Sequence, residues 1–375
     1  MYNPLTHSLV LRGMSALAMA RAFLRYRNPR RRAIGAHHTA FYERVWREAA
    51  TELGATFKSL GSGIVEIELD GVRTRAVENT SAIDDPVTIT LLADKPLTYR
   101  ILAQQSLPTP RHAVFSLKQI NNAIAVLRDI ARDCVVKPAR GTGGGRGVTT
   151  GVRTPSQLAR AAACAAVYGD HILIEEQIPG DNYRLLFLDG QLLDAFVRRH
   201  PTLVGDGHST VAQLVRAANY DRSRHGAGKS QVLLTIDLDV RHTLARQNLS
   251  LRSIPAKDQS VTLKTVVNEN LGADNTTATR LLCPAIVEQC ATAVRTLGVR
   301  FAGVDVITTD PAAPLGSETG GVILEVNAPP NFYYHYNKSD ARFPVARHVL
   351  RRLLIDNDPA AVPTWATATA AGALA

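Results

Sequence analysis

Residues 134–147 read CVVKPARGTGGGRG, an apolar run that closes on Lys137 and Pro138 and then opens into five glycines within seven positions. The run has the composition of a strand. Gly141, Gly143, Gly144, Gly145 and Gly147 let the loop after it present consecutive backbone N–H groups to phosphate oxygens without side-chain obstruction. A lysine at the edge of such a loop neutralises phosphate as a compact point charge. Two familiar phosphate motifs are excluded. No Gly-Lys-Ser/Thr closes the loop, so it is not a P-loop, and the strand ends in Lys-Pro, which a dinucleotide fingerprint does not. On this stretch alone, a flexible turn between strand and helix stands as the structural alternative.

Working outward, hairpins and helices alternate without the regular βαβ order of a doubly wound sheet, and the pattern predicts α+β lobes. Upstream, residues 37–53 carry a helical apolar period that Gly54 ends. GIVEIELDGVRTRAV is a hairpin turning at Asp70 and Gly71. Residues 94–105 read as a helix stopped by Pro108 and Pro110. Downstream, residues 155–167 form an alanine-rich helix, and HILIEEQI is a strand ending at Pro179 and Gly180. YRLLFLDGQLLDAFVRR is a second hairpin, turning at Asp189 and Gly190. Residues 284–297 form an amphipathic helix, followed by strands FAGVDVITTD and GVILEVN.

The chain has 375 residues, of which 45% are apolar and 20% charged, ordinary values for a globular protein of two or three lobes. No apolar run is long enough to span a bilayer. Residues 9–24, interrupted by Arg12 and Arg21, read as an amphipathic helix leading into a basic run at residues 25–32. The net charge of +10 suits anionic substrates. Nucleic acid is a weak hypothesis, since neither zinc-finger spacing nor an RNA-binding aromatic signature accompanies the basic arm. Cys134, Cys164, Cys283 and Cys290 show no metal or redox spacing and read as reduced thiols of a cytoplasmic protein.

Two further groups carry chemistry. Asp305 in GVDV, and Glu325 and Asn327 in ILEVN, break otherwise apolar strands, and the last two project from one face. Two carboxylates and an amide oxygen form a hard-oxygen set suited to Mg²⁺ shared with substrate phosphates. Surface alternation on edge strands is the alternative, disfavoured by apolar neighbours on both sides. Strand HILIEE ends in Glu175 and Glu176, where a carboxylate and backbone groups can hold an adenine edge and a ribose. A solvated strand end would look the same.

The order of parts is recognisable. DK (Asp94, Lys95), KP with its glycine loop, EEQIPGDNYR, RRHPTLVGDGHSTVAQLV, LKTVVNENLGADNTTAT, GVDV and LEVNAPP follow one another. The succession resembles the ATP-grasp ligases, in particular the ATP-grasp region of cyanophycin synthetase. That family has a similar glycine loop with GRGVTT, a similar GD-x-YRLL segment, a VxGDGxSTxxxLV stretch, and EVNAxPG followed by a His. The resemblance covers residues 79–350.

It implies an ATP-grasp fold, with a nucleotide held between two α+β lobes and a small N-terminal α/β lobe in front. The expected division is a poorly ordered basic leader (1–36), the N-terminal lobe (37–110), a central lobe bearing the glycine loop (111–180), a C-terminal lobe bearing the metal site (181–358) and a flexible tail (359–375). The implied function is an ATP-dependent ligase. It joins a carboxylate, from an amino acid or small peptide, to an amine through an acyl phosphate, and releases ADP and phosphate. ATP and Mg²⁺ are the implied cofactors, with a pair of metal ions and Mn²⁺ as a substitute. The partners are the small-molecule carboxylate and amine, and a homodimer is left open. Lys95 and Lys137 look like the phosphate lysines, with residues 141–147 as the lid. Glu175, Gln177 and Ile178 should line the adenine pocket, with Asn182 near the ribose, and Asp305, Glu325 and Asn327 should hold Mg²⁺. Arg184, Arg199 and Lys264 are expected to handle the carboxylate and its acyl phosphate. A phosphotransferase or thiol-acceptor ligase on the same scaffold, or a non-catalytic ATP-binding module, are the alternatives.

The departures limit what is carried over. The glycine loop is one residue longer than the family's GNHGRGV and lacks its His. APPNF stands where the family has AGPGF, a rigid Pro-Pro in place of a flexible turn. The 375 residues hold no counterpart of the family's muramyl-ligase-like domain. Polymerisation, and aspartate and arginine as substrates, are therefore not carried over from the resemblance.

Overall fold

The computed structural model describes residues 29–224, 232–316 and 320–356, together with positions 13, 16, 19 and 20. Most of the helix expected over residues 9–24, and all of the tail expected from residue 359, lie outside the described residues. The leader expected over residues 1–36 ends earlier than its composition implies. Helix α1 (Pro29–Glu52) already begins at Pro29, a residue suited to a first turn, and Ile34 is buried. The rest of the leader lies almost wholly outside the described residues.

Gly54, in the left-handed region at φ 72°, closes the turn after α1. An antiparallel sheet follows, β1 (Thr56–Gly61), β2 (Ile64–Leu69), β3 (Val72–Val77) and β4 (Thr80–Ser81), in that spatial order. Asp70 and Gly71 both have positive φ, the geometry that matches the twist of a two-residue hairpin. Helices α2 (Pro86–Leu92) and α3 (Lys95–Ala103) start on Asp85 and Asp94, whose side chains accept from backbone N–H groups of the first turn.

The central lobe comprises β5 (His112–Phe115), α4 (Ile120–Ile130), β6 (Cys134–Pro138), β7 (Thr149–Val152), α5 (Pro155–Ala165) and β8 (Ile172–Glu176). Its antiparallel sheet runs β5-β8-β6-β7. One face is covered by the apolar stripes of α4 and α5, with Leu127, Val136, Leu158 and Ile174 in the shared core.

The C-terminal lobe holds β9 (Asp181–Leu188), β10 (Gln191–Arg198), β11 (Thr202–Val204), α6 (Val211–Arg224), α7 (Leu238–Arg246), β12 (Ser260–Thr262), β13 (Thr276–Thr277), α8 (Pro284–Thr296), β14 (Phe301–Thr308), β15 (Val322–Asn327), α9 (Tyr333–Tyr336) and α10 (Val345–Leu354). Its main sheet runs β13-β10-β9-β14-β15. Strand alternation divides the labour of the two faces. Leu185 and Phe187 pack with Ile286 and Val294 of α8. On the opposite face, Leu186 and Phe301 meet Trp46 of α1 and Val349 of α10. Arg184, further along that same face, lies against Asp305 of β14. The β11–β12 ribbon, α6 and α7 form a sub-lobe with its own core around Val215, Leu244 and Val261.

Candidate active site

A cleft of about 270 Å³ lies between the central sheet and the main C-terminal sheet, and both lysines singled out from the sequence enter it. Lys137 sits near the end of β6. Lys95 opens α3, and the start of that helix is stitched to the segment after β6. The Lys95 N–H donates to the Ala139 carbonyl (3.2 Å), the Gly141 N–H donates to the Ala93 carbonyl (3.3 Å), and Asp94 pairs with Arg140 (2.8 Å). These links bring two residues 42 positions apart to one end of the cleft.

Each ammonium has a carboxylate partner. Lys95 Nζ lies 3.1 Å from Glu325 Oε1 and donates to the Thr142 carbonyl at 3.3 Å. Lys137 Nζ lies 2.7 Å from Glu175 Oε1 and donates to the Tyr99 hydroxyl at 3.3 Å. That hydroxyl is 2.7 Å from the Leu324 carbonyl and 3.1 Å from Glu175 Oε2. Burial, and then the nearby Glu175 and Glu325 charges, push the Tyr99 hydroxyl well above its ordinary range, so it stays protonated. Burial alone would raise Glu325. Lys95 and Lys137 outweigh it and hold this carboxyl below its ordinary value.

The sheet register builds the opposite wall. Asp305 on β14 pairs with Arg184 of β9 on one side and with Glu325 of β15 on the other, so the three side chains form a row across the strands. Arg184 Nη2 donates to Asp305 Oδ2 at 3.1 Å. A Cβ at Gly303, two residues before Asp305, would fall 2.1 Å from Arg184 Nη1, so the guanidinium can cross that strand only over a glycine. Arg198 Nη1 adds a second contact to Asp305 Oδ2 at 3.4 Å and donates to Asn268 Oδ1 at 3.2 Å. Burial, followed by repulsion from Arg198, lowers Arg184 to about 10 against the pull of Asp305. Asn327 ends β15 and donates from its amide to Asp305 Oδ2 at 3.4 Å.

Three buried polar atoms in this wall have no hydrogen-bond partner: Asn182 Oδ1, Arg184 Nε and Asp305 Oδ1. The last two approach within 2.6 Å as an ion pair without an aligned N–H. Such atoms are costly in a closed core and point to a ligand.

Ile178, Val135, Leu324 and Ile307 give the cleft an apolar section, and Glu175, Gln177 and Asn182 also line it. The Gln177 amide oxygen is engaged by the Gly151 N–H at 2.7 Å. The glycine loop closes against residues 265–268. A Cβ on Gly145, which has φ 70°, would stand 2.7 Å from Val266 Cγ1, so this approach too requires glycine.

Two expected residues lie elsewhere. Arg199 faces solvent and meets Asp181 at 3.4 Å. Lys264 is buried in the sub-lobe, where Thr235, Asp237 and Glu269 surround its ammonium at 2.8, 2.6 and 2.9 Å. Burial would lower Lys264, but Glu269 and Asp237 raise it above its ordinary range. Conversely, Arg198, Tyr99 and Asn268 reach the site without having been singled out. Arg198 reaches the site only because the register of β10 shifts between Leu192 and Asp194. Tyr99 had no signal beyond its place one helical turn after Lys95.

These lobes, the cleft between their sheets and the glycine loop that closes it make up an ATP-grasp fold. In sequence the chain is similar to cyanophycin synthetase. It is 34% identical to the enzyme of a Nostoc species over 250 residues, 66% of this chain and 27% of that one. With the bifunctional glutathione biosynthesis protein of Streptococcus mutans it shares 28% over 262 residues, 68% of this chain and 34% of the relative. A bifunctional glutathione synthetase from Pasteurella multocida superposes with a TM-score of 0.53 at 22% identity, over 83% of this chain and 43% of that one, a likeness of fold. The chain thus matches between 27% and 34% of the length of these curated relatives. No protein-family model matches it.

Proposed function

We propose that the protein is an ATP-dependent ligase that activates a carboxylate as an acyl phosphate and passes the acyl group to an amine, giving an amide, ADP and phosphate. The observation that carries this is the convergence of two buried lysines, Lys95 and Lys137, and the carboxylates Asp305 and Glu325 on one cleft under a glycine loop, with Arg184 held against Asp305. A carboxylate oxygen attacks the γ-phosphorus and ADP leaves. The amine nitrogen then attacks the acyl carbonyl, phosphate leaves, and the nitrogen gives up a proton. The lysines offset charge at the phosphates, Arg184 and Arg198 orient the carboxylate and its acyl phosphate, and the closed loop excludes water.

The residues present fit a divalent cation. Asp305 Oδ1 is buried without a hydrogen-bond partner, Glu325 is held ionised, and Asn327 follows on the same strand. When bound, Mg²⁺ supplies charge neutralisation at the phosphates. A pair of ions, with Mn²⁺ as a substitute, goes with this proposal. So do a cytoplasmic location, small-molecule partners, Asn182 at the ribose, and lobes divided at residues 37–110, 111–180 and 181–358.

Hydroxylamine provides the test. Purified protein with Mg-ATP and panels of amino acids, dipeptides and hydroxy acids should yield a hydroxamate with stoichiometric ADP for at least one acid. Pyrophosphate with AMP, or a stable phosphorylated product, would overturn the reading. An absence of acid-stimulated ADP release across the panels would leave a nucleotide-binding module in its place.

A further inference from the structure

The Pro-Pro segment that departs from the related glycine turn is held from behind by the N-terminal lobe. Proline has no N–H, so Pro329 and Pro330 can be fixed to a neighbour only through their carbonyls. Asn79 supplies the donor. Its Nδ2 reaches the Pro329 carbonyl at 2.8 Å and that of Pro330 at 3.3 Å, across 250 positions of sequence. Asn79 lies in the turn between β3 and β4. That turn is pinned in its own right, because Trp46 Nε1 donates to the Glu78 carbonyl at 2.8 Å.

One step along, Tyr42 of α1 takes over. Its hydroxyl donates to Asn331 Oδ1 at 3.2 Å and accepts from the Phe332 N–H at 3.1 Å. Phe332 packs between the rings of Tyr42, Trp46 and Phe301 at centroid distances of 5.4, 5.5 and 5.7 Å. Burial places the Tyr42 hydroxyl far above its ordinary range, so it is a fixed donor at any working pH. The held segment begins at the residue after Asn327, which ends the strand bearing Glu325.

We infer that Asn79 and Tyr42 are positioning residues. Through residues 328–332 they fix the end of β15, and with it Glu325 and Asn327 at the phosphate end of the cleft. The N-terminal lobe is therefore part of the catalytic unit. Where a glycine turn would be held by its own backbone, this chain uses a rigid segment clamped by another lobe. The inference rests on the assignment of Glu325 and Asn327 to the metal.

The test measures ATP binding by calorimetry as a function of Mg²⁺ in the full chain. Asn79→Asp keeps the size of the side chain but removes its donor, and Tyr42→Phe keeps the ring but removes the hydroxyl. Each should raise the Mg²⁺ concentration for half-maximal binding about fivefold or more. Amide exchange of residues 331–336 in the nucleotide-free protein should quicken about tenfold or more. Val349→Ala, a cavity in the same aromatic core, should lower Tm without moving the Mg²⁺ dependence. Should both donor variants keep the wild-type Mg²⁺ dependence, or Val349→Ala shift it equally, the positioning role is overturned. Failure of the wild-type protein to bind Mg-ATP would instead remove the metal assignment on which the inference rests.

Discussion

Two of the places where this molecule buries lysine ammonium groups against carboxylates finish the task differently. In the sub-lobe, Lys264 meets three acceptors, Thr235, Asp237 and Glu269, which match its three N–H groups. At the cleft, Lys95 meets Glu325 and Thr142, and Lys137 meets Glu175 and Tyr99, two acceptors apiece. Lys264 does not line the cleft, although its neighbour Thr265 does, whereas Lys95 and Lys137 both line it. A closed ammonium network holds a fold together. One left a donor short where it lines a cleft is arranged to be completed by a ligand.

The comparison can be broken in four places. Glu325→Gln should have the largest effect, cutting turnover about a thousandfold, some 4 kcal/mol, while Tm stays close to wild type. Steady-state rates in saturating Mg²⁺ decide it, and near-normal turnover would place Glu325 with the structural carboxylates. Lys264→Met comes next. It strands Asp237 and Glu269 and should cost about 3 kcal/mol of stability by denaturant unfolding, with ATP affinity within twofold. Weaker ATP binding at unchanged stability would move Lys264 into the working group.

Lys137→Met should weaken ATP binding about twentyfold by calorimetry and also destabilise the fold, because Glu175 is left buried without its partner. The double variant Lys137→Met with Glu175→Gln sharpens the contrast, since it should regain stability without regaining affinity. Recovery of both would make Lys137 a structural residue like Lys264. The smallest effect belongs to the arginine pair. Arg198→Ala should lower hydroxamate formation about tenfold, as expected for one charge-assisted contact, and Arg199→Ala less than twofold. Equal losses would mean that the strand presents both.

That pair shows where sequence reading stops. Counted from the turn at Asp189 and Gly190, a regular hairpin would set Ala195, Val197 and Arg199 on the face of Arg184. The pairing of β10 with β9 shifts by one residue between Leu192 and Asp194, and beyond it Phe196 stands opposite Arg184 and Arg198 opposite Asn182. One extra residue exchanges the two faces of the strand. The turn itself was legible because Asp-Gly accepts positive φ, as the structure shows at both positions. A bulge carries no comparable residue signature.

The chain by itself marked many of its elements and their order, though not the helices Ile120–Ile130, Leu238–Arg246 and Val345–Leu354. Glycines mark the loop, Asp and Pro mark the helix starts, alternation marks the strands, and single polar residues in apolar strands mark Asp305, Glu325 and Asn327. These are local signals, written in backbone preference and periodicity within a few residues. Tertiary structure alone decided which charges share a space. It set Tyr99 between Lys137 and Glu175, put Arg198 and not Arg199 in the cleft, enclosed Lys264, and clamped the Pro-Pro segment with Asn79 and Tyr42. The physical reason is range. Propensity acts over one turn or one strand, whereas the partner of a buried charge is chosen by sheet register and by the packing of segments hundreds of residues apart.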